Sequence, residues 1–86
     1  MPEVCRFDGI TIRLYFREHG PPHLHAIYGE AEAQINIDNL QVIHGNLPSR
    51  RLRAVIDWAG SRQSELRTAW DRAQAGESPG RVDPPE

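Results

Sequence analysis

The stretch HLHAIYGEAEAQIN, residues 23–36, predicts two antiparallel strands joined at Gly29 and Glu30. Glycine in the first central position is typical of the type II′ turn, which connects paired strands with only two residues. Closing this turn places small or apolar residues opposite one another on one face, namely Leu24 with Ile35, Ala26 with Ala33 and Tyr28 with Ala31. The other face of the hairpin is polar and carries His23, His25, Gln34 and Asn36.

Two further turn signals extend the hairpin on both sides. Asp8-Gly9 predicts a tight turn that pairs Phe7 with Ile10, and Asp38-Asn39 predicts another. A five-residue proline loop, residues 18–22, makes the remaining connection. The pairs that continue the apolar face are Cys5 with Ile12, Ile35 with Val42 and Ile37 with Leu40. We therefore expect an α+β fold built on a five-stranded antiparallel meander, with Cys5 as a buried and inert thiol.

The second half of the chain predicts the cover for this apolar face. Its apolar residues keep a period of 3.6, and they are Leu52, Val55, Ile56, Ala59, Leu66, Trp70 and Ala73. One helix from Ser49, as N-cap, to Ala75 would be roughly 40 Å long, with a kink at Gly60 as the alternative. Strands of about 20 Å cannot cover such a helix. Leu66 and Trp70 are therefore predicted to meet a partner chain or a bent-back helix.

The polar face predicts a candidate site. If β-pairing continues with Leu14 opposite Ala26, then Tyr15 lies opposite His25 and Arg17 opposite His23. The resulting patch consists of Arg13, Tyr15, Arg17, His23, His25, Gln34 and Asn36. His23, His25 and Tyr15 are the catalytic candidates, since an imidazole can take a proton from a ribose hydroxyl. The anion-binding candidates are Arg13, Arg17, Gln34 and Asn36.

The stretch HGPPHLH, residues 19–25, allows other interpretations. Pro21 and Pro22 fix the backbone, and His19 and His23 would then hydrogen-bond the loop and hold its shape. Histidines two apart on a strand can also share a metal ion, but a third ligand is not evident. The guanidinium groups of Arg13 and Arg17 attract phosphate and repel a divalent cation. The sequence therefore predicts that the patch binds phosphate, sulfate or an RNA backbone in preference to zinc. No metal and no cofactor are expected, and a histidine-based metal site stays an open alternative.

Composition limits the function classes. The chain has 86 residues, one cysteine and a formal net charge of -2, which gives little general attraction for RNA. Residues 1–75 are expected to form one domain, and residues 76–86, rich in Gly, Pro and Ser, an extended or mobile tail. The sequence shows no signal peptide and no apolar run of membrane-spanning length, so a cytoplasmic protein without membrane contact is expected.

The chain resembles a small bacterial family catalogued as domain of unknown function 4160. The motifs that carry the resemblance are Arg6-Phe7-x-Gly9-Ile10-x-Ile12-Arg13, His19-x-Pro21-Pro22-His23-x-His25, Tyr28-Gly29, Leu47-Pro48, Trp58 and Ala73-x-x-Gly76. The resemblance implies a locus similar to toxin and antitoxin pairs, with a small protein partner encoded nearby. It implies no catalytic residues.

Three functional hypotheses follow from these observations. The first is a protein-binding module of such a locus, which docks the nearby partner or a second copy through its C-terminal helix and carries the anion-binding patch. The second is a metal-independent, RNA-cleaving toxin that uses His23 and His25 with Arg13, Arg17 and Tyr15. The third is a histidine-based metal-binding protein.

Overall fold

The structure is a computed structural model that describes residues 2–86. Five strands precede two helices along the chain, namely β1 (Glu3–Phe7), β2 (Ile10–Arg13), β3 (His23–Tyr28), β4 (Ala31–Asn36), β5 (Val42–Gly45), α1 (Ser49–Gly60) and α2 (Gln63–Gln74). The strands form one antiparallel sheet in the order β1-β2-β3-β4-β5. The predicted α+β class and five-stranded antiparallel meander are confirmed.

The two hairpins with glycine turns have the predicted register. The pairs across β3 and β4 are those expected, including His23 with Asn36 and His25 with Gln34. In the β1–β2 turn, Asp8 and Gly9 both have positive φ, 51° and 76°, as a two-residue hairpin turn of type I′ requires. Local turn chemistry therefore determines these two registers.

The predicted register between β2 and β3 is wrong by two residues. Ile12, and not Leu14, lies opposite Ala26, so Arg13 is the residue opposite His25. A shift of two keeps every side chain on its face, which is why the alternation of polar and apolar residues could not detect it. Because β2 ends at Arg13, the connection to β3 spans residues 14–22, and Phe16 is 46% exposed instead of buried.

The connection from β4 to β5 is also longer than predicted. Residues 37–41 separate the strands, and Asn36 holds their turn through hydrogen bonds from the Asp38 and Asn39 amides to its side-chain oxygen. The predicted partners Ile35 and Val42 are paired, but the register then shifts, so Ile43 has no partner on β4. All residues of β5 are exposed.

The single helix from Ser49 to Ala75 is replaced by two helices of 12 residues each. The break follows Gly60, where helix propensity is low, and the Ser61 hydroxyl donates to the Trp58 carbonyl at 2.8 Å. Pro48, not Ser49, occupies the N-cap position of α1. Breaking the helix lets both halves pack on the sheet, since an unbroken one would overhang it.

The core is one apolar cluster shared by the sheet and both helices. Trp58 of α1 packs against Phe7 of β1, with ring centroids 5.3 Å apart. Cys5 belongs to this cluster, and burial raises the pKa of its thiol, which disfavours the reactive thiolate. No helix within residues 2–86 has the length and apolar character needed to cross a bilayer.

Residues 76–86 contain no helix or strand, but several of them contact the folded part of the chain. The Val82 amide donates to the Val4 carbonyl of β1 at 2.8 Å, and the Val82 side chain is buried. The Trp58 indole donates to the Asp83 carbonyl at 2.7 Å. The tail therefore covers the β1 edge of the sheet.

Candidate functional site

His23 and His25 are buried on the polar face of β3, and each is only 4% exposed. Their rings lie 5.1 Å apart, centroid to centroid. Tyr15, from the long connection between β2 and β3, lies edge-on against His25 at 4.5 Å, and Trp70 of α2 lies against His23 at 5.2 Å. The polar face is therefore covered at this point, and His23 contacts a helix that the sequence placed on the opposite face.

Each of the two rings has an acceptor for its Nδ1. The Nδ1 of His23 lies 2.8 Å from the Pro21 carbonyl oxygen, and that of His25 lies 2.8 Å from a carboxylate oxygen of Glu32. Because a carbonyl or an ionised carboxylate can only accept, each Nδ1 is the donor in these contacts. If a ring is neutral, its Nε2 then presents a lone pair.

Both Nε2 atoms meet the same carboxylate. Oε1 of Glu18 lies 2.8 Å from Nε2 of His25 and 3.2 Å from Nε2 of His23. The connection that carries Glu18 is fixed to α2, since the Gln74 amide donates to the Glu18 carbonyl at 2.7 Å and the Arg17 amide donates to the Ala73 carbonyl. We call Glu18, His23 and His25 the histidine–glutamate cluster.

The arrangement of this cluster favours a proton or a cation at its centre. A carboxylate oxygen that faces two imidazole lone pairs is repelled, unless protons or a cation lie between them. The Nε2 of His23 is buried and makes no hydrogen bond. The ligand atoms of the three residues lie within 4.8 Å of one another, so these residues could hold a metal ion.

Some of the other predicted patch residues lie beside the histidines, and some do not. Arg13 and Gln34 are the direct register partners of His25 on either side, so they share its face. Asn36 lies opposite His23, but its side-chain oxygen is used in the β4–β5 turn. Arg13, Tyr15 and Gln34 therefore remain beside the site.

Arg17 leaves the patch, because the longer connection carries it to the C-terminal end of α2, where its guanidinium lies against Gly76. His19 is exposed in the same connection. Pro21 and Pro22 each supply a backbone carbonyl, to His23 and to the Ile37 amide respectively.

Leu66 and Trp70, proposed from the sequence as a partner interface, are buried in the chain's own core at 0% and 5% exposure. The broken helix has placed them there. These two residues therefore offer no surface to a partner chain.

The sequence did not identify Glu18 or Glu32 as partners of the histidines. A signal for Glu32 existed, because the confirmed β3–β4 register places it diagonally across from His25 on the same face. Glu18 had no such signal, because it belongs to a connection whose path depends on contacts with α2.

Comparisons with known proteins give one match. The model of a family described as Domain of unknown function (DUF4160) matches residues 9–71, which include the histidine–glutamate cluster and most of both helices. Neither the curated proteins nor the solved structures give a significant match. The chain belongs to the DUF4160 family.

Proposed function

We propose that this protein binds a divalent metal ion, with zinc the best fit, through Glu18, His23 and His25. One observation carries the proposal: a single carboxylate oxygen faces the Nε2 atoms of two buried histidines whose Nδ1 atoms are already engaged. Two histidines and one glutamate form an established ligand set for zinc, in which a fourth position is filled from solution.

Distances within the cluster support this reading. Zinc bonds of about 2.0–2.2 Å place neighbouring ligands of a tetrahedral site roughly 3.3 Å apart. The two Glu18–histidine distances, 2.8 and 3.2 Å, are close to that value, and the widest separation among the three ligand atoms, at most 4.8 Å, has to shorten on binding. Glu32 and the Pro21 carbonyl act as the outer hydrogen-bond partners that orient metal-ligating histidines. Metal-bound Nε2 atoms cannot act as general bases, so this proposal takes the place of the metal-independent ribonuclease hypothesis.

Zinc titration of the metal-free protein by calorimetry tests the proposal. The wild type is expected to bind one zinc ion per chain, and His23→Ala and Glu18→Gln are expected to abolish measurable binding. Glu32→Gln should weaken binding by about 10- to 100-fold, since it replaces the charged acceptor that orients His25 with a neutral amide. Affinity should fall as the pH is lowered, because the ligands must lose their protons.

Matched controls are available in the same chain. His19→Ala removes an exposed histidine four residues from His23, and Glu30→Gln removes an exposed glutamate two residues from Glu32. Neither change should alter zinc affinity. Equal zinc affinity in the wild type and in His23→Ala would contradict the proposal, as would a wild type that binds no zinc. The latter result would assign the cluster to a protonated His25 held between two carboxylates.

A second candidate function, protein binding, is favoured by the contrast between the two sheet edges. The β1 edge is covered by the tail through Val82, whereas β5 is exposed along its length and presents Val42 and Ile43, 38% and 44% exposed. An uncovered edge strand with apolar side chains can accept an extended segment of another protein. We therefore propose β5, instead of the C-terminal helix, as the surface through which a protein-binding module would contact its partner.

The β5 surface can be tested with the small partner that the family resemblance implies. Co-expression with the product of the neighbouring gene is expected to give a complex for the wild type and none for a Val42→Lys, Ile43→Lys double variant. Phe16→Lys alters an equally exposed apolar residue outside β5 and is expected to leave the complex intact. Loss of the complex with Phe16→Lys alone, or its survival in the double variant, would exclude β5 as the binding surface.

A further inference from the structure

Arg13 lies directly beside the histidine–glutamate cluster. It is the last residue of β2 and the register partner of His25, so both side chains leave the same face of the sheet. Partners opposite each other on neighbouring antiparallel strands have Cα atoms about 4.5–5.5 Å apart. A guanidinium on a side chain of this length can therefore reach the region around His25.

Arg13 has no anionic partner within residues 2–86. Its Nε is buried without a hydrogen bond, and its guanidinium forms no ion pair. Glu3, its own register partner on β1, is engaged by Arg6 and Arg81, while Glu18 and Glu32 contact the histidines. Arg13 as a residue is only half-buried, so the cost falls on its Nε, and this buried donor without an acceptor points to an acceptor from outside the chain.

The two unsatisfied atoms at this site have complementary requirements. The buried Nε2 of His23 presents a lone pair and needs a cation, whereas the buried Nε of Arg13 presents a hydrogen and needs an anion. An oxyanion on a zinc ion meets both needs, with one oxygen on the metal and another accepting from Arg13. The side chains of Glu18 and Glu32 are 26% and 46% exposed, so solvent reaches the cluster on the carboxylate side.

We propose that zinc at the histidine–glutamate cluster and the guanidinium of Arg13 together bind a phosphate group, as free phosphate or a phosphate monoester. This inference rests on the proposed metal site. With neutral histidines, the charges of Glu18, Glu32 and Arg13 leave one net negative charge, and zinc changes it to one net positive charge. Phosphate therefore binds only the zinc-loaded protein. The anion site predicted from the sequence is then a property of the metal complex.

Calorimetric titration of inorganic phosphate into zinc-loaded and zinc-free protein tests the inference. Phosphate is expected to bind the zinc-loaded wild type and to give no signal with the zinc-free protein. Arg13→Ala should lower the phosphate affinity about 10- to 100-fold, the range for a hydrogen bond to a charged group. Arg13→Lys should give an intermediate value, because it keeps the charge and loses the planar fork.

Zinc affinity measured on the same variants separates this inference from the metal proposal. Arg13→Ala should bind zinc as the wild type does, which also shows that the variant is folded. Arg53→Ala removes a guanidinium that is 81% exposed on α1 and should change neither affinity. A dinucleotide, whose bridging phosphate is a diester like the RNA backbone, is expected to bind more weakly than phosphate.

Three patterns would overturn the inference while leaving the metal site in place. The first is zinc binding without any phosphate binding, and the second is phosphate affinity that is unchanged in Arg13→Ala. The third is equal phosphate affinity with and without zinc, which would assign the anion to the protein alone. A dinucleotide that binds more tightly than phosphate would replace the monoester with a nucleic-acid backbone as the ligand. If zinc itself does not bind, the metal proposal and this inference both fail.

Discussion

Trp70→Ala is expected to lower the free energy of unfolding by about 3–5 kcal/mol, the usual cost of removing a buried tryptophan side chain. The indole is 5% exposed, lies in the core cluster and covers the ring of His23. Alanine would leave a cavity between α2 and the sheet that the surrounding backbone cannot fully close. Since the free energy of unfolding of a small domain is only about 5–15 kcal/mol in total, the variant is expected to be only marginally stable.

Urea unfolding followed by circular dichroism measures this effect through the transition midpoint, and Trp58 remains as a fluorescent reporter in the variant. Phe16→Ala is the matched control, because it truncates an aromatic side chain that is 46% exposed. Its change should stay within about 0.5 kcal/mol. Similar losses for the two variants would show that Trp70 is not part of the core.

Gly45→Ala is expected to lower the free energy of unfolding by about 3 kcal/mol, from two sources that add. Gly45 has a φ of 74°, a left-handed conformation that costs an L-residue about 1–2 kcal/mol. A Cβ at this position would also collide with the backbone carbonyl of Glu32. That carbonyl accepts from the Asn46 amide at 3.0 Å, so it cannot move without loosening the end of β5.

Gly29→Ala separates the two sources. Gly29 also has a positive φ, 60°, but a Cβ there has no atom within 4 Å. Thermal and urea unfolding should show only the conformational cost for Gly29→Ala and a clearly larger loss for Gly45→Ala. Because Glu32 also orients His25, Gly45→Ala should weaken zinc binding as well, whereas Gly29→Ala should not. Equal stability of the two variants would mean that the Glu32 carbonyl relaxes freely.

Much of the sheet could be predicted because short turn sequences determine the pairing of the strands next to them. Asp8-Gly9 and Gly29-Glu30 favour tight turns that fix the pairing next to them, and both registers are confirmed. The β2–β3 register could not be fixed in this way, since its connection is long and a shift of two residues leaves both faces unchanged. Arg17 left the predicted patch for a different reason, because β2 ends at Arg13 and the long connection that follows carries Arg17 to the end of α2.

The helical part shows a limit of a different kind. Apolar residues keep the same phase on both sides of Gly60, so periodicity alone predicts one helix, whereas burial of Leu66 and Trp70 requires two. The length of the predicted helix, about 40 Å, already indicated that the sheet could not cover it. That length does not determine the direction in which the chain turns after Gly60.

Two histidines on one face of β3 follow from the amino-acid sequence, because alternation along a strand and the adjacent turn place them there. Their burial and their carboxylate partner follow from the packed molecule. Glu18 reaches Nε2 of His23 and His25 only because α2 holds its connection in place through Gln74 and Ala73, more than 50 residues away in the chain. Local pattern fixes which face a side chain occupies, whereas long-range packing fixes which atoms meet across it.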